Sequence, residues 1–160
     1  MAQKRGDLAR LRPAASADAL EIAELFIAAR HDALPYLPHL HTDEDTRRWM
    51  SDTVLRQSTV WVAEQDGAIV GFFSLAGDHL DHLYIRPGHY RQGVGDRLLA
   101  KAKAMSPGRL RLFTFQRNAR ARAFYEARAF VAVTYGDGST NEEREPDILY
   151  EWIASGSSAP

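Results

Sequence analysis

The chain has 160 residues, of which 45% are hydrophobic and 26% charged, with a formal net charge of −1. That length suits one domain with a sizeable core, and a charge so near zero excludes general attraction to nucleic acid or an anionic membrane. With no cysteine the chain can hold no disulfide, thiolate nucleophile or thiolate-bound metal, which fits a reducing cytoplasm.

The first residues, MAQKRGDLAR, lack the apolar core of a signal peptide, and no apolar run approaches membrane-spanning length. The expected location is therefore cytoplasmic. A single domain is expected over 1–153, followed by a small polar tail over 154–160 that is expected to stay disordered.

Leu8 to Arg12 alternates before Pro13 and predicts a first strand. Ser16 is the expected N-cap of a helix over Ala17 to Arg30, with Leu20, Ile22, Ala23, Phe26 and Ile27 at helical spacing. Pro35 and Pro38 interrupt the chain, and Thr42 with Asp45 has the pattern of a capping box opening a helix from Asp43 to Gln57. Ser58 to Glu64 is a strand by its β-branched and aromatic content, Asp66-Gly67 is a hairpin signal, and Ala68 to Ala76 returns. Gly77-Asp78 turns into a third strand, His79 to Ile85, which completes an antiparallel meander.

A helix after Gly95 runs to Met105 and stops at Pro107-Gly108. Arg109 to Phe115 is strand-like, Asn118 caps a helix over Ala119 to Arg128, and Phe130 to Tyr135 is a further strand. A polar loop, Gly136 to Pro146, leads to the closing strand Asp147 to Ile153. Seven strands and four helices in this order predict an α/β (α+β) fold: a mixed, mostly antiparallel sheet flanked by helices.

The stretch HLDHLYIRPGHYRQGVGDRLL, His79 to Leu99, organises the rest. A strand breaks at Arg86-Pro87-Gly88, crosses a loop bearing Arg91, Gly93 and Gly95, and enters a helix. Such a turn aims free backbone N–H groups and a helix dipole at one point, which suits a phosphate or pyrophosphate. The lysine and hydroxyl of a P-loop are absent, as is the third glycine of a dinucleotide fingerprint.

Two segments, LYIRPGHYRQGVGDRLL (Leu83 to Leu99) and NARARAFYEARAF (Asn118 to Phe130), occur after the meander. In that order and separation they resemble the GNAT superfamily of acyl-CoA-dependent N-acetyltransferases, over roughly residues 8 to 153. The resemblance implies a GNAT-like sheet with splayed central strands and acetyl-CoA as co-substrate, with no metal. Two positions depart from the family pattern. Tyr90 stands where Gln or Arg is frequent, and Ala129 stands where Gly is usual. The second is a helix C-cap position that favours φ > 0, where alanine costs about 1 kcal/mol.

By the same resemblance, backbone groups of Leu83 and Ile85 should pair with the pantetheine arm, with an amide facing the thioester oxygen. Amides from Gln92 through Gly93, Val94 and Gly95 to Asp96 should take the pyrophosphate, beside Arg91. Tyr84, Asn118 and Phe124 complete the cofactor-binding set, Phe124 also being a core side chain. Tyr125 matches the family tyrosine near the sulfur, where it can protonate the departing thiolate; its alternative role is an aromatic packed in the core.

The acceptor amine must lose a proton, and candidate bases lie at the start of the central strand. His79 and Asp81 share a face by the two-residue strand period, with His82 pointing the other way. Asp81 is the first choice because it lies nearer the expected thioester, and His79, whose imidazole titrates near neutrality, is the second. The resemblance further implies that acceptor specificity comes from Leu34 to Thr42 and Asp137 to Asp147. There Tyr36, His39, His41, Glu142, Glu143 and Asp147 would line an aromatic and acidic pocket for a cationic amine. The alternative is an exposed loop whose charges pair with Arg144. Trp49, Trp61 and Trp152 are assigned to the core.

The histidine pairs lack the helical i, i+4 geometry of zinc motifs, so no metal is expected. The leading reading is an N-acetyltransferase acting on a primary amine of a small molecule or peptide by direct attack. The alternatives are a non-catalytic acyl-CoA sensor and a nucleic-acid module using the cluster Arg109, Arg111, Arg117, Arg120, Arg122 and Arg128, which is expected to be mainly a solvated surface. No nucleic acid or membrane is expected as a partner, and a homodimer stays open.

Overall fold

The computed structural model describes residues 8–155. The first seven residues and the greater part of the expected tail lie outside the described residues.

Seven strands form one sheet in the order β1-β2-β3-β4-β5-β7-β6. These are β1 (Arg10–Pro13), β2 (Thr59–Gln65), β3 (Ala68–Ala76), β4 (His79–Ile85), β5 (Arg109–Phe115), β6 (Val131–Gly136) and β7 (Asp147–Ile153). Every pairing is antiparallel except β4 with β5. At the β2–β3 turn, Asp66 and Gly67 both have positive φ (53° and 79°), as a two-residue hairpin requires. β3 is buried on both faces from Ile69 to Leu75, which is why it reads as a continuous apolar run rather than an alternation.

Helix α1 (Ala19–Ala33) and a helical rod made of α2 (Asp43–Trp49), a π-helical stretch (Met50–Val54) and α3 (Leu55–Gln57) cover one face. Their side chains Ile22, Phe26, Met50 and Val54 pack with Val62 and Phe72 of the sheet. Helices α4 (Val94–Met105) and α5 (Ala119–Glu126) cover the other, where Leu98 and Tyr125 join Phe73, Leu80, Leu110 and Tyr150. Gly71 lets α4 approach: a Cβ there would stand 2.9 Å from both Ile85 and Leu98.

Element boundaries differ from the expected ones at α1, α4 and α5. Ser16 does not cap α1. Instead Asp18 takes the Ala15 N–H at 2.7 Å and pairs with Arg12, so residues 16–18 form a 3-10 turn and α1 begins at Ala19. Thr42 does cap α2, accepting from Asp45 N at 3.0 Å. The helix expected after Gly95 begins at Val94, with Gly93 at its N-cap in the left-handed region (φ 80°). Helix α5 stops at Glu126, two residues early. Phe130 N–H reaches back to Tyr125 C=O at 3.1 Å across Ala129, whose φ is 69°. That is a Schellman-type ending, and alanine stands at its strained position.

Candidate functional site

β4 and β5 are joined at one register pair, His79 with Arg111, where Arg111 N–H also donates to Asp78 C=O at 2.8 Å. β5 is meanwhile paired to β7 along seven residues. Beyond His79 the edge of β4 that faces β5 therefore has no strand partner among the described residues, and Leu83, Tyr84 and Ile85 border a wedge. Unpaired strand edges invite an extended, hydrogen-bonding ligand.

At the wide end of the wedge the chain turns over Arg86 to His89 (His89 N–H to Arg86 C=O, 3.0 Å) and passes Arg91 and Gly93, both with positive φ. No side chain caps α4, so the amides of Val94, Gly95 and Asp96 at its start are free for an anion. Gly95 matters for packing, since a Cβ would stand 3.3 Å from the Phe124 ring. The Asp96 carboxylate is paired with Arg128, which holds it below its ordinary pKa and lies 3.8 Å over Phe124. Tyr90 braces the loop: its hydroxyl donates to Asp32 at 2.9 Å while Arg120 lies 4.5 Å over its ring. Asn118 Oδ1 accepts from Ala121 N at 3.1 Å and caps α5. A slot lined by unpaired backbone, ending in free helix amides, fits a pantetheine arm and its diphosphate.

Tyr125 is buried, with Phe124 and Phe130 edge-on at 5.1 and 5.3 Å. Burial, and secondarily the neighbouring Tyr84, pushes its hydroxyl far above the ordinary phenol range. It remains protonated and able to donate. Tyr84 is packed between Phe26 and Phe72, and burial raises its hydroxyl too.

Asp81 is the extra residue of a β-bulge: Leu80 pairs with Leu75 and His82 with Ser74, leaving Asp81 unopposed. Its carboxylate lies 4.0 Å from His79 Nδ1, so those two share a surface as expected. Burial raises the Asp81 pKa, and His79 opposes the rise. His79 stacks on Phe113 at 6.2 Å.

The expected orientation of His82, away from His79, is corrected by the bulge. One inserted residue shifts the alternation, so Leu80 and Leu83 both face α4 while His82 joins Tyr84 on the α1 face. There His82 meets Phe26 and Trp49 edge-on and lines a cavity of about 690 Å³. Burial pushes its imidazole down to a pKa of about 4.

That cavity lies between α1, residues 34–41, α2 and the β6–β7 loop. Of the expected acceptor residues, His39, His41, Glu142 and Glu143 stand on its wall. Glu142 bonds His41 Nε2 at 2.9 Å and Glu143 reaches Arg30 at 3.4 Å, so these acids tie loops together rather than pair with Arg144. Tyr36 and Asp147 are elsewhere. Tyr36 lies under the Arg117 guanidinium at 3.9 Å, its hydroxyl buried without a partner. Asp147 is buried, accepts from Asn141 Nδ2 at 3.2 Å, and borders a separate cavity of about 260 Å³ beside Phe113. Sequence reasoning missed Arg30, Trp49 and His82 as cavity residues. Trp49 does pack against the core as expected while also lining the cavity, and a bulge leaves no trace in hydrophobic alternation.

The arginine cluster is largely spoken for. Arg109 pairs with Asp78, Arg111 with Glu151, Arg117 with Glu145, Arg122 with Glu126 and Arg128 with Asp96. Among the described residues no group of three or more His, Asp or Glu could hold a metal, and no helix is long and apolar enough to cross a membrane.

Residues 56–132 match the model of an acetyltransferase (GNAT) domain. The chain is 32% identical over 105 residues to peptidyl-lysine N-acetyltransferase YiaC of Escherichia coli, covering 65% of this chain and 67% of that protein. It is 36% identical over 77 residues to peptidyl-lysine N-acetyltransferase YjaB of Salmonella typhimurium, about half of each chain (48% and 52%). Among solved structures, apo YjaB from Escherichia coli superposes with a TM-score of 0.75 at 21% identity, covering 91% of this chain and 98% of that one. An acetyltransferase-like protein from Salmonella typhimurium, yncA, solved with acetyl-CoA, gives 0.68 at 18% identity, covering 94% and 96%.

Proposed function

We propose that this chain, which belongs to the GNAT family of acetyltransferases, acetylates a primary amine of a peptide or small molecule by direct attack. It is an acetyl-CoA-dependent enzyme. One observation carries the reading: a single β4–β5 pair beside a fully paired β5 leaves a slot where a thioester arm can complete the sheet. Two relatives named for peptidyl-lysine acetylation support a peptide amine.

In this reading the backbone of Leu83 and Ile85 holds the arm, and an amide there faces the thioester oxygen where charge develops. Amides from Gln92 to Asp96, with Arg91, take the diphosphate. The amine nitrogen attacks the thioester carbon, the C–N bond forms and the C–S bond breaks. The amine's surplus proton passes to Asp81, whose raised pKa suits a base nearer neutrality, with His79 as its neighbour and alternate. Tyr125 gives the departing sulfur its proton. The cysteine-free sequence supports a reducing, cytoplasmic setting.

Release of free CoA thiol, measured over a panel of amines, tests the proposal, and no protein thiol adds background. Turnover with at least one primary amine is expected. CoA binding without turnover on any amine would replace the enzyme reading with an acyl-CoA sensor.

A further inference from the structure

We propose that His82 is a specificity residue whose Nε2–H donates to a neutral carbonyl of the acceptor, so that the favoured acceptors are cationic amines bearing an amide. The inference rests on the acetyltransferase reading above and deepens it.

The argument begins at Ser74, which is fully buried on β3. Among the described residues the one hydrogen-bond partner of its hydroxyl is His82 Nδ1, at 2.6 Å. A buried hydroxyl proton without an acceptor carries a desolvation cost, and Ser74 has one available acceptor, the Nδ1 lone pair. The pairing is satisfied when Ser74 Oγ–H donates to Nδ1. If Nδ1 carried the proton, the serine hydrogen would point at nothing. The proton of the neutral ring therefore sits on Nε2. The depressed pKa supports a ring that stays neutral through the physiological range.

Among the described residues Nε2 has no hydrogen-bond partner, and it is not sealed from solvent. His82 lines the large cavity, so this donor opens onto it. As a donor, His82 is not placed to be the base. It is placed to read an oxygen, in a collar formed by Phe26 and Trp49.

The wall decides which oxygen. Four carboxylates line the cavity (Asp43, Asp45, Glu142 and Glu143) against one guanidinium, Arg30, which Glu143 already engages. A cationic amine is drawn in by that wall, and a free carboxylate is repelled. A neutral carbonyl meets the donor without that penalty. An amide on the same molecule as the amine has both features.

Three acceptors with the same aliphatic stem separate the contributions: an Nα-acetylated lysine amide, free lysine and 1,5-diaminopentane. The lysine amide is expected to show the lowest KM, about tenfold below the diamine, as one buried hydrogen bond implies. In His82→Phe the KM ratio between amide and diamine should fall toward one. Ser74→Ala, a smaller change, should narrow the ratio by freeing the ring to take either tautomer. Independently of activity, the ¹⁵N spectrum of histidine-labelled protein should show His82 protonated at Nε2 and bare at Nδ1. A proton on Nδ1, or equal KM values for amide and diamine in the unaltered enzyme, overturns the inference. Turnover of none of the three despite CoA binding overturns the acetyl-acceptor reading instead, and the tautomer still judges His82.

Discussion

In the proposed reading the cofactor side of this molecule is built from backbone, and the acceptor side from side chains. The slot and its anion site consist of an unpaired strand edge, two positive-φ residues and the free amides opening α4. Side chains there serve mainly as braces: Tyr90 on Asp32, Arg128 on Asp96. The cavity proposed for the acceptor is walled by His41, Glu142, Arg30, Trp49 and His82, drawn from five separate segments. A backbone site tolerates sequence change as long as the turn survives, whereas a side-chain site changes its chemistry with every substitution. One fold can thus keep its acyl donor and exchange its acceptor.

The sharpest way to break this contrast is Tyr125→Phe, the one side chain on the cofactor side assigned a chemical step. kcat should fall about 10²-fold with CoA affinity held within about threefold, as measured by steady-state kinetics and CoA titration. An unchanged kcat would return Tyr125 to the core aromatics. His82 tests the acceptor side through stability. Its folded pKa of about 4 lies below the ordinary imidazole value of 6.5, so the unfolded chain binds the proton first as pH falls. The stabilisation is whole above pH 6.5 and lost between 6.5 and 4, about 3 kcal/mol in all. Urea melts across that range should show this slope, and His82→Gln should remove it.

A smaller effect is expected at Asp81. Asp81→Asn should lower kcat about tenfold and flatten the acid limb of the pH–rate profile, because the carboxylate is lost as pH falls through its raised pKa. An unaltered limb would pass the role to His79. Ala129→Gly should stabilise the protein by about 1 kcal/mol, read as a rise in Tm, since glycine accepts φ 69° without a Cβ clash. The mildest change is Glu142→Gln, which should raise KM for a cationic amine about threefold at low salt and less at high salt.

Local chemistry made much of the cofactor side legible. Gly93 and Gly95 before Leu98 announced a strand-to-helix turn, and Asn118 announced the cap of α5, because both depend on residues adjacent in the chain. Ala129 was legible as a strained helix ending for the same reason, and its φ confirms it. Of the residues expected to line one pocket, some do share a cavity. His39, His41, Glu142 and Glu143 stand on the cavity wall, while Tyr36 and Asp147 turned out to brace loops. Whether a loop carboxylate faces a cavity or a neighbouring loop depends on partners about a hundred residues away, as His41 and Glu142 illustrate.

By itself, the amino-acid sequence determined the order of strands and helices, the meander with its Asp66-Gly67 turn, and the glycine-bearing entry to α4. Each of these follows from short-range periodicity, capping and backbone freedom. Only the tertiary structure decided that β4 and β5 part after one pair, that a bulge at Asp81 turns His82 toward α1, and that Ser74 holds its Nδ1. Those outcomes depend on register between distant strands, where one inserted residue exchanges the two faces of a sheet.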